Sequence, residues 1–201
     1  FPPGVFEIIH GSGDVVQQLV SSPIIKAVTF VGSSPVGKII GDLAHKHSKK
    51  CVSLGGAKNH LLVLPDADME LVTQDVVNSV CGSSGQRCLA ASVVIMVGDV
   101  DILDKLVEIT KNTKVAPVID QEAHDRLNGY LERARNDPEC TVVLDGSGDV
   151  MCPSIIVVEN KINWAMTTEL FGPIMTVIRC KTIDEAIDLE NSSKFGNGAS
   201  V

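Results

Sequence analysis

Residues 27–37 read Ala-Val-Thr-Phe-Val-Gly-Ser-Ser-Pro-Val-Gly. The apolar run at its start predicts a strand, and it passes directly into Gly32-Ser33-Ser34-Pro35. There Ser34 suits a helix cap and Pro35 the first helical position, and helical periodicity continues to His47. Strand, glycine turn and helix start together make an anion-binding arrangement. Free N–H groups and the positive end of the helix dipole face the turn, and the Ser33 hydroxyl adds a donor. An ordinary Gly-Ser cap has the same local pattern, and the spacing is not the Gly-x-Gly-x-x-Gly fingerprint.

Outward from this stretch, strands and helices alternate. Residues 5–10 read as a short strand and residues 14–20 as an amphipathic helix. A glycine turn, Gly55-Gly56, lies between two strands, the later over residues 60–64. Pro65-Asp66-Ala67-Asp68 closes that strand and caps a helix over residues 69–81. A β-branched strand follows at 92–97, then helices at 101–113 and 121–135. Strands at 141–144, 154–158 and 174–179 come next, and Thr182-Ile183-Asp184-Glu185 is a capping box opening a last helix. The alternation predicts an α/β chain with mostly parallel sheet. Two domains are expected, residues 1–52 with the anion-binding turn and residues 53–201 with the reactive chemistry described next.

That chemistry concentrates in residues 82–92, Gly-Ser-Ser-Gly-Gln-Arg-Cys-Leu-Ala-Ala-Ser. Cys88 stands between a Gly-rich approach and a small-residue exit, with a cation beside it, which is the local setting of a nucleophile. Gly82 and Gly85 allow backbone conformations that a side chain forbids, and so let main-chain N–H groups turn toward a group on the sulfur. Arg87 is expected to favour thiolate over thiol. The other reading is a buried cysteine opening the next apolar strand, since unpaired Cys is among the most buried residue types.

Composition narrows the partners. With 201 residues, 44% of them hydrophobic and 21% charged, the chain can bury a substantial core. A formal net charge of −8 argues against nucleic acid or an anionic membrane as partner, because both reward clustered Lys and Arg. The six cysteines contain no Cys-x-x-Cys pair, which suggests neither a zinc site nor a secreted disulfide frame and fits an intracellular compartment. No metal is expected. The chain opens Phe1-Pro2-Pro3 and ends Ala199-Ser200-Val201 in what reads as a strand start, so both ends are expected to be cuts through a longer protein.

Six ordered motifs then coincide. Pro3-Gly4-Val5, Phe30-Val31-Gly32-Ser33 with Gly37, Leu54-Gly55-Gly56, Gly85-Gln86-Arg87-Cys88, Glu169-Leu170-Phe171-Gly172-Pro173 and Phe195-Gly196-Asn197-Gly198-Ala199 resemble the middle portion of the NAD-dependent aldehyde dehydrogenase superfamily. Residues 56–60 and 196–198 look most like its methylmalonate or malonate semialdehyde dehydrogenases. The resemblance implies the end of a Rossmann-type cofactor domain followed by an α/β catalytic domain incomplete at its C-terminus. It implies Cys88 as nucleophile, its backbone N–H as one oxyanion donor, and Gly32, Ser33 and Gly37 at the NAD pyrophosphate. Glu169 would take the nicotinamide ribose hydroxyls and Phe171 would pack near the nicotinamide. Without the resemblance, Glu169 reads as an exposed loop carboxylate and Phe171 as core.

Two departures bear on the reaction. Most relatives carry a Glu before the Leu-Gly-Gly turn that activates water on the thioester; here the place is Ser53, or Leu54 in the other register, and neither is a carboxylate. In the semialdehyde subfamily that replacement goes with acyl transfer to coenzyme A, and an Arg at the place of Arg87 helps hold the substrate carboxylate. Residues 111–118 and 149–154 are also shorter than their counterparts. Three functions stay open: a semialdehyde dehydrogenase using NAD and coenzyme A, a hydrolytic aldehyde dehydrogenase of another branch, and a catalytically incomplete binding or structural remnant. For the intact enzyme the resemblance implies a small-molecule aldehyde substrate, a homo-oligomer (dimer or tetramer), and a mitochondrial matrix or bacterial cytoplasmic location.

Overall fold

The apolar run Ala27–Val31 forms β1, and Lys50–Leu54 (β2) pairs with it in parallel, Ala27 opposite Lys50 and Val31 opposite Leu54. This is seen in a computed structural model that describes residues 1–201. Gly13–Ser21 (α1) precedes β1, and Ser34–Lys46 (α2) links the two strands. Val20, Ile40 and Ala44 make a small core against Val28, Phe30, Leu43 and Cys51. Because β2 pairs with β1 through Leu54, this compact unit runs from Phe1 to Gly56, past the expected division at 52/53. Residues 5–10 form no strand: they have no ladder partner, and Val5, Phe6, Ile8 and Ile9 are exposed. A short apolar stretch without a neighbour to complete its hydrogen bonds does not become sheet.

The second unit, Ala57–Val201, is built on a six-stranded sheet. Its strands are Asn59–Val63 (β3), Ala91–Val97 (β4), Cys140–Leu144 (β5), Ser154–Val158 (β6), Ile174–Cys180 (β7) and Ala199–Ser200 (β8), in the order β5-β6-β7-β4-β3-β8. All neighbours are parallel except β5 with β6. The helices are Met69–Cys81 (α3), Leu103–Asn112 (α4), Gln121–Asn136 (α5), the short Trp164–Thr167 (α6) and Ile183–Asn191 (α7). Side-chain alternation on β4 shows how both faces are covered. Val93, Ile95 and Val97 join the core with Leu127 and Leu131 of α5, Met166 of α6 and Leu189 of α7. Val94 and Met96 join the core with Val76, Val77 and Val80 of α3 and Leu106 of α4.

The expected caps form in this unit. Asp68 accepts from the Glu70 and Leu71 N–H groups at the start of α3, and Thr182 accepts from Glu185 N–H at the start of α7. The parallel arrangement has one consequence for function. Segments that enter β3, β4, β7 and β8 all arrive at the same edge of the sheet, shown by the registers Asn59 with Ala91, Val93 with Thr176, and His60 with Ala199. Residues just before those strands therefore meet, although they lie far apart in the chain.

Candidate active site

In the first unit the β1–α2 turn differs in detail from expectation. Ser33, not Ser34, is the cap residue, and its side chain makes no capping bond. Ser34 is already helical, and its hydroxyl accepts from Gly56 N–H at 3.0 Å. That contact needs a bare backbone opposite, because a Cβ on Gly55 would lie 2.6 Å from the Ser34 Oγ. Gly32 and Ser33 thus sit at the open start of α2, with the Ser33 hydroxyl uncommitted and Pro35 in the first turn, whereas Gly37 is buried within the helix, its N–H bonded to the Ser33 carbonyl. Ser53 donates to the Gly37 carbonyl at 2.8 Å, and Leu54 is exposed. Neither candidate position supplies a base.

In the second unit the loop before β4 carries the thiol. A 3₁₀ turn, Gly82–Gly85, follows α3, and three successive residues, Ser83 (φ 50°), Ser84 (φ 56°) and Gly85 (φ 67°), are left-handed. The expectation for Gly82 fails: its φ is −56°, and the positive angles fall on two serines. Left-handed backbone costs a non-Gly residue about 1–2 kcal/mol, so other contacts must hold this turn. Ser84 donates to the Ala116 carbonyl at 2.6 Å, Arg87 Nε donates to Ser83 Oγ at 3.0 Å, and Gln86 Oε1 accepts from Ile119 N–H at 3.0 Å. Gly85 is packed against Gly172, where a Cβ would lie 2.1 Å from the carbonyl oxygen.

Cys88 emerges from this turn exposed, as Arg87 does. Its backbone N–H makes no hydrogen bond within the chain. Burial pushes the Cys81 thiol up to about 11, and burial, reinforced by Asp137, pushes Cys140 up to about 11. A cleft of about 20 Å³ is lined by Cys88, Arg87, Asn59, Gly85, Glu169 and Phe171, room for about one small polar group. Arg87 Nε is directed to Ser83 and its guanidinium lies over Gly82.

The structure brings Glu169 and Phe171 to the thiol. Glu169 is half-buried rather than a free loop carboxylate, and its Oε1 accepts from Ala57 N–H at 2.8 Å. Phe171 is 40% exposed instead of lying in the core, on a left-handed backbone (φ 51°). A bulky residue there is an outlier that surrounding structure must enforce. Arg126 on α5 does so by donating to the Leu170 carbonyl.

Three buried groups escaped the sequence reading. Lys58 is buried with its Nζ unpartnered, and desolvation, partly offset by Glu169, pulls its pKa down to about 7. His60 is buried against Glu190 on α7, and burial lowers its pKa although that carboxylate opposes the shift. Asn59 donates to the Cys88 and Ala90 carbonyls. The stretch 56–60, polar at the head of an apolar strand and already quoted for its resemblance, was the available signal. No group of three or more His, Cys, Asp or Glu is placed to hold a metal, and no helix is long and apolar enough to cross a membrane.

A profile of the aldehyde dehydrogenase family matches residues 1–201, from end to end. The chain belongs to that family. It is 36% identical, over all its length, to malonate-semialdehyde dehydrogenase 1 of Geobacillus thermodenitrificans, and covers 45% of that protein. Their alignment takes 222 positions, more than the 201 residues of the chain, so this family member lacks residues that the relative carries within the matched span. Among solved structures, methylmalonate-semialdehyde dehydrogenase from Oceanimonas doudoroffii superposes with a TM-score of 0.88 at 32% identity, covering 94% of the chain and 43% of its own. A putative methylmalonate-semialdehyde dehydrogenase from Sinorhizobium meliloti, complexed with NAD, gives 0.87 at 28% identity over 94% and 43%. The chain thus spans under half the length of these relatives.

Proposed function

We propose that this chain contributes the thiol centre of an NAD-dependent aldehyde dehydrogenase acting on a short semialdehyde, malonate or methylmalonate semialdehyde, with coenzyme A as acyl acceptor. The observation that carries the reading is an exposed Cys88 sharing one cleft with Glu169 and Phe171, on a chain similar throughout to a malonate-semialdehyde dehydrogenase.

Each unit, taken by itself, offers groups that suit part of a dinucleotide. The Ser33 hydroxyl and the open first turn of α2 suit a pyrophosphate, Glu169 Oε2 accepts no bond within the chain, and Phe171 offers an exposed ring. NAD, when bound, supplies the hydride acceptor. Cys88 Sγ adds to the aldehyde carbonyl carbon, forming the C–S bond while the carbonyl π pair moves to oxygen, which faces the uncommitted Cys88 N–H. Departure of the aldehydic hydrogen as hydride re-forms the C=O bond and leaves a thioester on Cys88. Ser53, tied to the Gly37 carbonyl, and exposed Leu54 offer no carboxylate to activate water. A thiol nucleophile depends less on such a base, which supports coenzyme A as acceptor. Arg87 supplies the cation for a substrate carboxylate.

Stopped-flow absorbance of NADH after mixing with NAD and malonate semialdehyde tests this. A burst is expected with the parent chain and none with Cys88→Ala. Coenzyme A should then clear the acyl mass from Cys88 faster than buffer does. A burst that survives Cys88→Ala ends the proposal, and acyl release indifferent to coenzyme A assigns the chain to the hydrolytic branch.

A further inference from the structure

We infer that Asn59 and Asn197 are positioning residues: their two side-chain amides clamp the Cys88 carbonyl and tie the thiol loop to the segment that leads into β8. Asn59 Nδ2 donates to the Cys88 carbonyl at 2.8 Å and to the Ala90 carbonyl at 2.9 Å. Asn197 Nδ2 donates to the same Cys88 carbonyl at 2.7 Å and to Asn59 Oδ1 at 3.2 Å. A carbonyl oxygen has two lone pairs, and both are used here. The side chain at 59 must give two N–H groups and accept one, which an amide does and a carboxylate of the same length does not.

Little else holds this part of the loop. Within residues 87–90 the remaining backbone bond is Ala90 N–H to the Arg87 carbonyl at 3.1 Å. Asn59 is buried at the head of β3, so its amide is a fixed post. Asn197 is exposed and reaches the carbonyl from the segment just before β8. That strand pairs with β3 through His60 with Ala199 and Leu61 with Ser200. Thiol placement therefore depends on the segment that leads into β8.

The functional meaning rests on Cys88 as nucleophile, but the test needs no turnover, so the two ideas fail separately. In the 201-residue chain, Cys88 alkylation by iodoacetamide is followed by peptide mass spectrometry, with the exposed Cys152 as internal reference. Asn197→Ala should raise the Cys88 to Cys152 rate ratio about fivefold, the equivalent of one net hydrogen bond, as the thiol leaves the cleft it shares with Glu169. Asn59→Ala should do the same, and the double variant should fall short of the product, because the amides share one acceptor. The NMR signature is a through-hydrogen-bond coupling between Asn197 Nδ2 and the Cys88 carbonyl carbon, with an upfield move of that carbon in Asn197→Ala. Asn197 lies on the surface, so its variant keeps the fold. An unchanged rate ratio in Asn197→Ala, or a carbonyl shift insensitive to that substitution, overturns the inference.

Discussion

Replacing Lys58 with methionine should stabilise the protein, and by an amount that depends on pH. The Lys58 Nζ is buried without a partner, and its pKa falls from 10.5 to about 7. Between those values the unfolded chain holds a proton that the folded chain does not, so stability rises with pH. The folded protein bears the full penalty below pH 7 and loses it progressively on the way to 10.5. At 1.36 kcal/mol per pKa unit the slope near pH 8 is about 1.2 kcal/mol per pH unit, and the whole penalty at low pH is of order 4–5 kcal/mol. Other groups bound the useful window. His60, with its lowered pKa, adds a rise below 6.5, and the raised thiols Cys81, Cys140 and Cys180 subtract above 9, where unfolded thiols ionise first. Urea unfolding of parent and Lys58→Met at pH 7.5, 8.0 and 8.5 should therefore show a rising parent and a flatter variant, with the variant more stable at pH 7.5. A parent whose midpoint is flat over that range, or a variant with the same slope, would show that the ammonium is solvated or paired with Glu169, and the burial argument would be wrong.

Gly85→Ala and Gly129→Ala should have opposite signs. A Cβ at Gly85 meets the Gly172 carbonyl at 2.1 Å on a left-handed backbone, and strain with overpacking should cost about 2–5 kcal/mol. Gly129 lies in α5 with nothing within 4 Å of its Cβ position, so alanine should add about 0.5–1 kcal/mol; calorimetry of both variants reads the difference. Asp68→Ala removes an acceptor for two N–H groups at the start of α3 and should cost about 1 kcal/mol by urea unfolding, with Cys88 alkylation unchanged.

Much of the second unit could be read along the chain because its signals are local. The span of α3, the strand Ser154–Val158 and the caps at Asp68 and Thr182 follow from side chains within a turn of the residues they organise. The failures are non-local. Residues 5–10 are apolar enough to read as a strand but have no partner. Phe171, apolar and bulky, reads as core until Arg126 is seen holding the loop that turns it outward. Gly82 reads as the flexible residue, whereas Ser83 and Ser84 take the left-handed angles because Ala116 and Arg87 hold their hydroxyls.

The amino-acid order alone determined the alternating α/β pattern and singled out Cys88 and the β1–α2 turn, since hydrophobic period, turn glycines and a thiol beside an arginine are all short-range properties, whereas Glu169 stood out only through the family resemblance. It could not say that positions 59, 88, 169 and 197 share one place. Parallel pairing decides that: strands running the same way deliver the residues that precede them to a single edge of the sheet, and those residues are far apart along the chain. The partnerless ammonium of Lys58 and the amides on the Cys88 carbonyl belong to the same class of fact. Burial and hydrogen-bond geometry exist only after the sheet has formed.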